Sequence, residues 1–79
     1  MATKTRRRLD PRREVLRELG ERVKACRRGR GLTQEDLAEL IHVSVAYVSL
    51  IERGRRNPPF TTVVAIAHAL AFSPRDLAE

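Results

Sequence analysis

The side chains best suited to chemistry stand close together at Arg53, Arg55, Arg56 and Asn57. They form a short basic loop that Gly54, Pro58 and Pro59 keep out of helix. Their chemistry is anion binding: guanidinium forks and a side-chain amide donate hydrogen bonds to phosphate oxygens. If the anion is a nucleic-acid backbone, each neutralised phosphate releases counterions, and affinity falls steeply with salt. An exposed basic loop without a role is the bland alternative.

Nothing in the chain suits catalysis. There is no glycine-rich phosphate loop after a strand, no Cys or His pair at zinc spacing and no nucleophile motif. The expectation is a non-enzyme with no cofactor and no metal. His42 and His68 have no second ligand at useful spacing, and His68 reads as a partly buried packing residue of an apolar helix. Cys26 reads as core filler. A single cysteine excludes an internal disulfide and suits a reducing cytoplasm. No apolar run approaches the ~20 residues that cross a bilayer, and the basic start MATKTRRRLD lacks the apolar stretch of a secretory signal.

The loop must be positioned by what precedes it. Residues 32–54, LTQEDLAELIHVSVAYVSLIERG, carry apolar side chains at Leu37, Ala38, Ile41, Val43, Val48 and Ile51, a pattern of two short helices joined by a tight turn. Thr33 before Gln34-Glu35-Asp36 is a capping-box-like start, and Ser44 starts the second helix. Ala38 is small where the helices would cross. This is the layout of a helix-turn-helix, whose second helix lies in the DNA major groove.

The remaining elements frame that unit. Met1 to Leu9 reads as a flexible basic arm that touches phosphates or a minor groove, or as an unstructured end. Residues 10–79 read as the domain. A long helix is expected from Asp10-Pro11, with a stripe at Leu16, Leu19, Val23 and Cys26 and a stop at Gly29 and Gly31. Gly20 weakens this helix and marks a point where it can break. A fourth helix is expected from Thr61 or Thr62, with Val63, Val64, Ile66, Ala67 and Leu70 buried. Ser73-Pro74-Arg75-Asp76 opens a short fifth helix with Leu77 inward. No strand signal appears, so the fold class is all-α with five helices.

The net charge of +6 is uneven: residues 1–31 carry +8 and residues 32–79 carry −2. Such an excess points to a polyanionic partner or to a solvated basic face. Aromatic residues make up only 4%, which argues against single strands, whose bases need stacking platforms.

From Leu19 to Leu77 the chain resembles the phage-repressor and Cro-type helix-turn-helix domain, the XRE family. The matching residues are Leu19-Gly20-Glu21-Arg22, Gly31-Leu32-Thr33-Gln34-Glu35, Leu37-Ala38, Val43-Ser44, Tyr47-Val48-Ser49, Ile51-Glu52-Arg53-Gly54, Arg56-Asn57-Pro58 and Ala67 to Leu70. The resemblance implies a five-helix, lambda-repressor-like domain that binds duplex DNA, usually as a dimer on a palindrome, and regulates transcription. It places Val45, Ala46, Ser49 and Leu50 against the bases. It assigns phosphate contacts to Thr33, Gln34, Ser44, Tyr47, Arg53, Arg55, Arg56 and Asn57, with packing against the turn as the alternative for Tyr47. It pairs Arg27 with Glu52 as a structural ion pair. Many relatives carry Gln, Arg, Lys or Asn at the base-facing positions. Here three of the four residues are apolar, which points to thymine-methyl contacts and DNA shape, or to a protein-facing surface. His42 stands where the family usually has glycine, so a left-handed backbone is expected there.

The expected partner is therefore double-stranded DNA. A homodimer would form through the C-terminal helices, with Leu40, Phe60 and Phe72 as further patch residues and recognition helices about 34 Å apart. The expected setting is the cytoplasm, for a prokaryotic or phage-encoded protein. The alternative is a protein-interaction module, such as an antitoxin or a regulator-sequestering partner, that uses the apolar face.

Overall fold

The computed structural model describes residues 11–71, which form four helices and no strand. In chain order they are α1 (Pro11–Gly29), α2 (Gln34–Ile41), α3 (Val45–Glu52) and α4 (Phe60–Ala71). Four helices thus stand in place of the five expected. The fifth, opening at Ser73, lies outside the described residues, as do the arm, the Asp10 cap, Phe72 and Leu77.

Local chemistry sets most boundaries. At α2, the Thr33 hydroxyl accepts from Asp36 N while the Asp36 carboxylate accepts from Thr33 N, a reciprocal capping box. At α3, Ser44 Oγ accepts from Tyr47 N at 3.1 Å. Helix α4 starts at Phe60, ahead of the expected threonines, because the Pro59 carbonyl already accepts from Val63 N at 3.1 Å. Helices α1, α2 and α3 end alike. A residue at positive φ turns the chain back, and two amides bond to the carbonyls of the last turn. At α2 that residue is His42, at φ 60 and ψ 47, the left-handed conformation expected of it.

The core gathers Val23, Leu32, Leu37, Ala38, Val48, Ile51, Ile66 and Leu70, with Leu19, Ile41, Val43, Tyr47 and Ala69 against it. Leu37, Val48 and Ile51 are sealed from solvent. Ala38 is buried between α2 and its neighbours, where a larger side chain would separate them.

Three expectations about packing are corrected, and the break that Gly20 would permit does not occur. Helix α1 runs unbroken through Gly20. The inward stripe of α1 passes from Leu16, Leu19, Gly20 and Val23 to Arg27, whereas Cys26 is exposed. On α4, Ile66 and Leu70 are buried, but Val64 and Ala67 face solvent. His68 is exposed rather than partly buried.

Candidate nucleic-acid interface

Helix α3 has eight residues divided between two sides. Val48, Ile51 and Glu52 face inward and are buried. Val45, Ala46, Ser49 and Leu50, related by one and four positions, share the other side. Val45 and Ala46 are exposed, and Ser49 and Leu50 are half-buried. Ser49 supplies the only side-chain hydrogen-bonding group among those four. Tyr47 packs against the core, and its ring lies 5.3 Å from the Arg56 guanidinium carbon, within cation–π range.

The basic loop leaves α3 through a tight reversal. Gly54 N bonds to Ile51 O at 3.0 Å and Arg55 N to Leu50 O at 2.9 Å, with Gly54 at φ +73. Glycine is favoured there on two counts: the left-handed backbone, and an added Cβ that would stand 3.0 Å from Arg17 Cα. The loop is thereby set against α1 at Leu16 and Arg17, in its second turn. Arg53, Arg55, Arg56 and Asn57 are all exposed, with Arg53 Nε donating to Ser49 O at 3.4 Å.

Behind α3 lies a buried polar cluster. Arg27 Nε donates to Glu52 Oε2 at 2.7 Å and Arg27 Nη2 to Glu52 Oε1 at 3.0 Å. A third donor, Arg27 Nη1, bonds to Leu32 O at 2.8 Å. Gln34 Nε2 donates to Glu52 Oε1 at 3.0 Å. The Arg27–Glu52 pair thus joins α1, the turn after it, the start of α2 and the end of α3. Burial pushes the Glu52 carboxyl up, but hydrogen bonds from Arg27 and Gln34 and the charges of Arg27 and Lys24 hold it below the usual carboxylate range. Its hydrogen bond to Glu52 leaves Arg27 more firmly protonated than an ordinary arginine.

The residues assigned to phosphate therefore stand in different states. The four loop residues are open to solvent. The hydroxyls of Thr33 and Ser44 accept from helix-end amides and keep their own protons available to donate. Gln34 uses one amide hydrogen on Glu52 and keeps a second. Sequence reasoning missed the Gln34–Glu52 bond. It also missed the role of Gly20, where a Cβ would sit 2.4 Å from Ile51 O and 2.6 Å from Glu52 O. The available signal was a glycine on the inward stripe of an otherwise good helix. Among the described residues no group of three or more His, Cys, Asp or Glu is placed to hold a metal, and no helix is long and apolar enough to cross a membrane.

Two short helices locked across a left-handed turn, with one side of the second left open beside a cationic loop, define a helix-turn-helix protein. A sequence model described as a helix-turn-helix domain matches residues 18–79. The chain belongs to this family, in its phage-repressor and Cro-type group. It is 48% identical over 54 residues to the immunity repressor protein of Bacillus phage phi105, covering 68% of this chain and 38% of the relative. It is 39% identical over 62 residues to the HTH-type transcriptional regulator DdrOP3 of Deinococcus deserti, covering 78% and 48%. The chain thus spans less than half the length of these two relatives. It is 41% identical over 59 residues to y4dJ of Sinorhizobium fredii, named as an HTH-type transcriptional regulator, covering 75% and 77%. Among solved structures it is similar to the restriction-modification controller protein C.AhdI of Aeromonas hydrophila, with a TM-score of 0.71, 38% identity and coverage of 81% and 97%.

Proposed function

We propose that the chain is a sequence-specific, duplex-DNA-binding transcription regulator of repressor type, acting by binding rather than by catalysis. The observation that carries this reading is the open side of α3, Val45, Ala46, Ser49 and Leu50, held beside the exposed cations of residues 53–57. Relatives named as a repressor and as transcriptional regulators support it. In this reading α3 enters the major groove. Thr33, Gln34, Ser44, Tyr47, Arg53, Arg55, Arg56 and Asn57 supply backbone contacts, and Arg27 with Glu52 fixes the helix that does the reading. Val45, Ala46 and Leu50 meet thymine methyls, because none of them can bond to a base edge.

A homodimer through the C-terminal helices fits the exposed Phe60, with 78% of its surface open, and the exposed Val64 and Leu40. Two copies would set their α3 helices about 34 Å apart on a palindrome. The expected setting is the cytoplasm of a prokaryotic or phage-infected cell. The exposed Val45 also favours a second reading, a protein-interaction module that uses the same face. Binding to mixed-sequence duplex over a salt series separates the two. A DNA reader loses affinity linearly on log axes, whereas an apolar protein interface leaves no such slope. Absence of any duplex binding at low salt would favour the second reading.

A further inference from the structure

The cationic loop has a neighbour that the motif does not account for. Its residue Asn57 shares an open groove with Pro11, Arg12, Val15 and Leu16 at the start of α1. A Cβ on Gly54 would lie 3.0 Å from Arg17 Cα and 3.4 Å from Leu16 O. The first turns of α1 are therefore docked on the loop.

The inward stripe of α1 begins at Leu16. Carried one turn further back, by three and four residues, it reaches Arg13 and Arg12, both exposed. The side of the helix that is apolar over the core thus becomes basic over the loop. The acids of this stretch, Glu14, Glu18 and Glu21, repeat at four and three positions along another side, where Glu14 and Glu21 engage Arg17. Arg12 lines the groove with Asn57, and Arg13 follows it in the same first turn of α1, open to solvent. Helix stability does not explain this, since cations in a first turn oppose the positive end of the helix dipole. A polyanion gathered by both segments does explain it.

We propose, building on the DNA-binding reading above, that Arg12 and Arg13 extend the backbone-gripping surface beyond the loop onto the duplex flanking the base-read site. Four residues of helix reach about 6 Å, which spans roughly two phosphates of one strand at their axial spacing. The contact adds affinity and salt dependence without base preference, because it touches only the backbone.

The test compares the parent chain with R12A/R13A on a mixed-sequence duplex across a salt series, with thermal melts as a folding check. Alanine suits a helix, so the fold is kept. The log–log salt slope of the double variant should be shallower by about 1.8, two contacts' worth. R22A, on the acid-bearing side of α1, should keep the parental slope. A steep parental slope left unchanged in R12A/R13A would overturn this proposal alone. A parent that binds no duplex would overturn it together with the DNA-binding reading.

Discussion

Each side of α3 carries an exception to the usual arrangement of a soluble helix. Outside, Val45 and Ala46 face solvent; inside, Glu52 is buried with only 6% of its surface open. The burial of the acid is satisfied by Arg27 and Gln34, and the exposed apolar side chains form the face that the proposed reading sets against DNA. The inner side requires a fixed geometry, which a network of directed hydrogen bonds gives better than methyl packing does. The outer side, in the proposed reading, is matched to the shape and chemistry of the duplex. In the reading proposed above, position and recognition fall to opposite faces of one short helix, and each can be broken separately.

The largest effect should come from the inner side. Arg27→Ala leaves the Glu52 charge buried without its partner and should cost about 3–5 kcal/mol. A domain of this size would lose that in a drop of roughly 4–8 °C per kcal/mol, read by thermal denaturation. Replacing both charges, as in R27M/E52L, should recover most of the loss, because no orphan charge remains. The same pair sets an acid limit. Glu52 titrates lower in the folded chain than in the unfolded one, so its contribution is complete above the ordinary carboxylate range. It is lost as pH falls through the depressed folded value, and the parent's melting temperature should decline on that side while R27M/E52L declines less.

Next in size is Gly20→Ala, expected to cost about 3 kcal/mol by denaturant unfolding. The added methyl meets the backbone carbonyls of Ile51 and Glu52, which cannot rotate aside, so α1 must move off the end of α3. An unchanged midpoint would refute the close approach of the two helices.

On the outer side the expected effects are smaller and appear in binding. Replacing one contacted thymine by uracil removes a single methyl, worth about 0.8 kcal/mol or roughly a four-fold loss of affinity. Uracil at positions outside the site should change nothing. A uracil-substituted site bound as tightly as its parent would remove the methyl reading. Smallest of all, His42→Gly should stabilise the fold by less than about 1 kcal/mol. It relieves the left-handed backbone while adding freedom to the unfolded chain. DNA affinity should stay unchanged, since the turn keeps its shape.

What could be read from residues alone follows the same division. The caps at Thr33 and Ser44 were legible because capping is a local interaction between near neighbours. So was the two-helix core at Leu37, Ala38, Val48 and Ile51, whose spacing is unambiguous. The pairing of Arg27 with Glu52 was expected through resemblance; its partners Leu32 O and Gln34 were not foreseen. Hydropathy favoured Cys26 over Arg27 for the stripe, and only a carboxylate 25 residues away reverses that choice. Gly20 looked like a weak point because its use depends on the carbonyls of another helix. The α4 sequence FTTVVAIAHALA is apolar nearly all round, so spacing could not select its buried side, and Val64 and Ala67 were misplaced.

The division of labour on α3 is tested most directly by selecting bound sites from a random duplex pool with the parent chain. The account predicts enrichment of a two-fold symmetric site whose half-sites lie one helical turn apart, with thymines at the positions α3 covers. A pool that stays random through successive rounds, while the protein remains folded and binds at low salt, would contradict it.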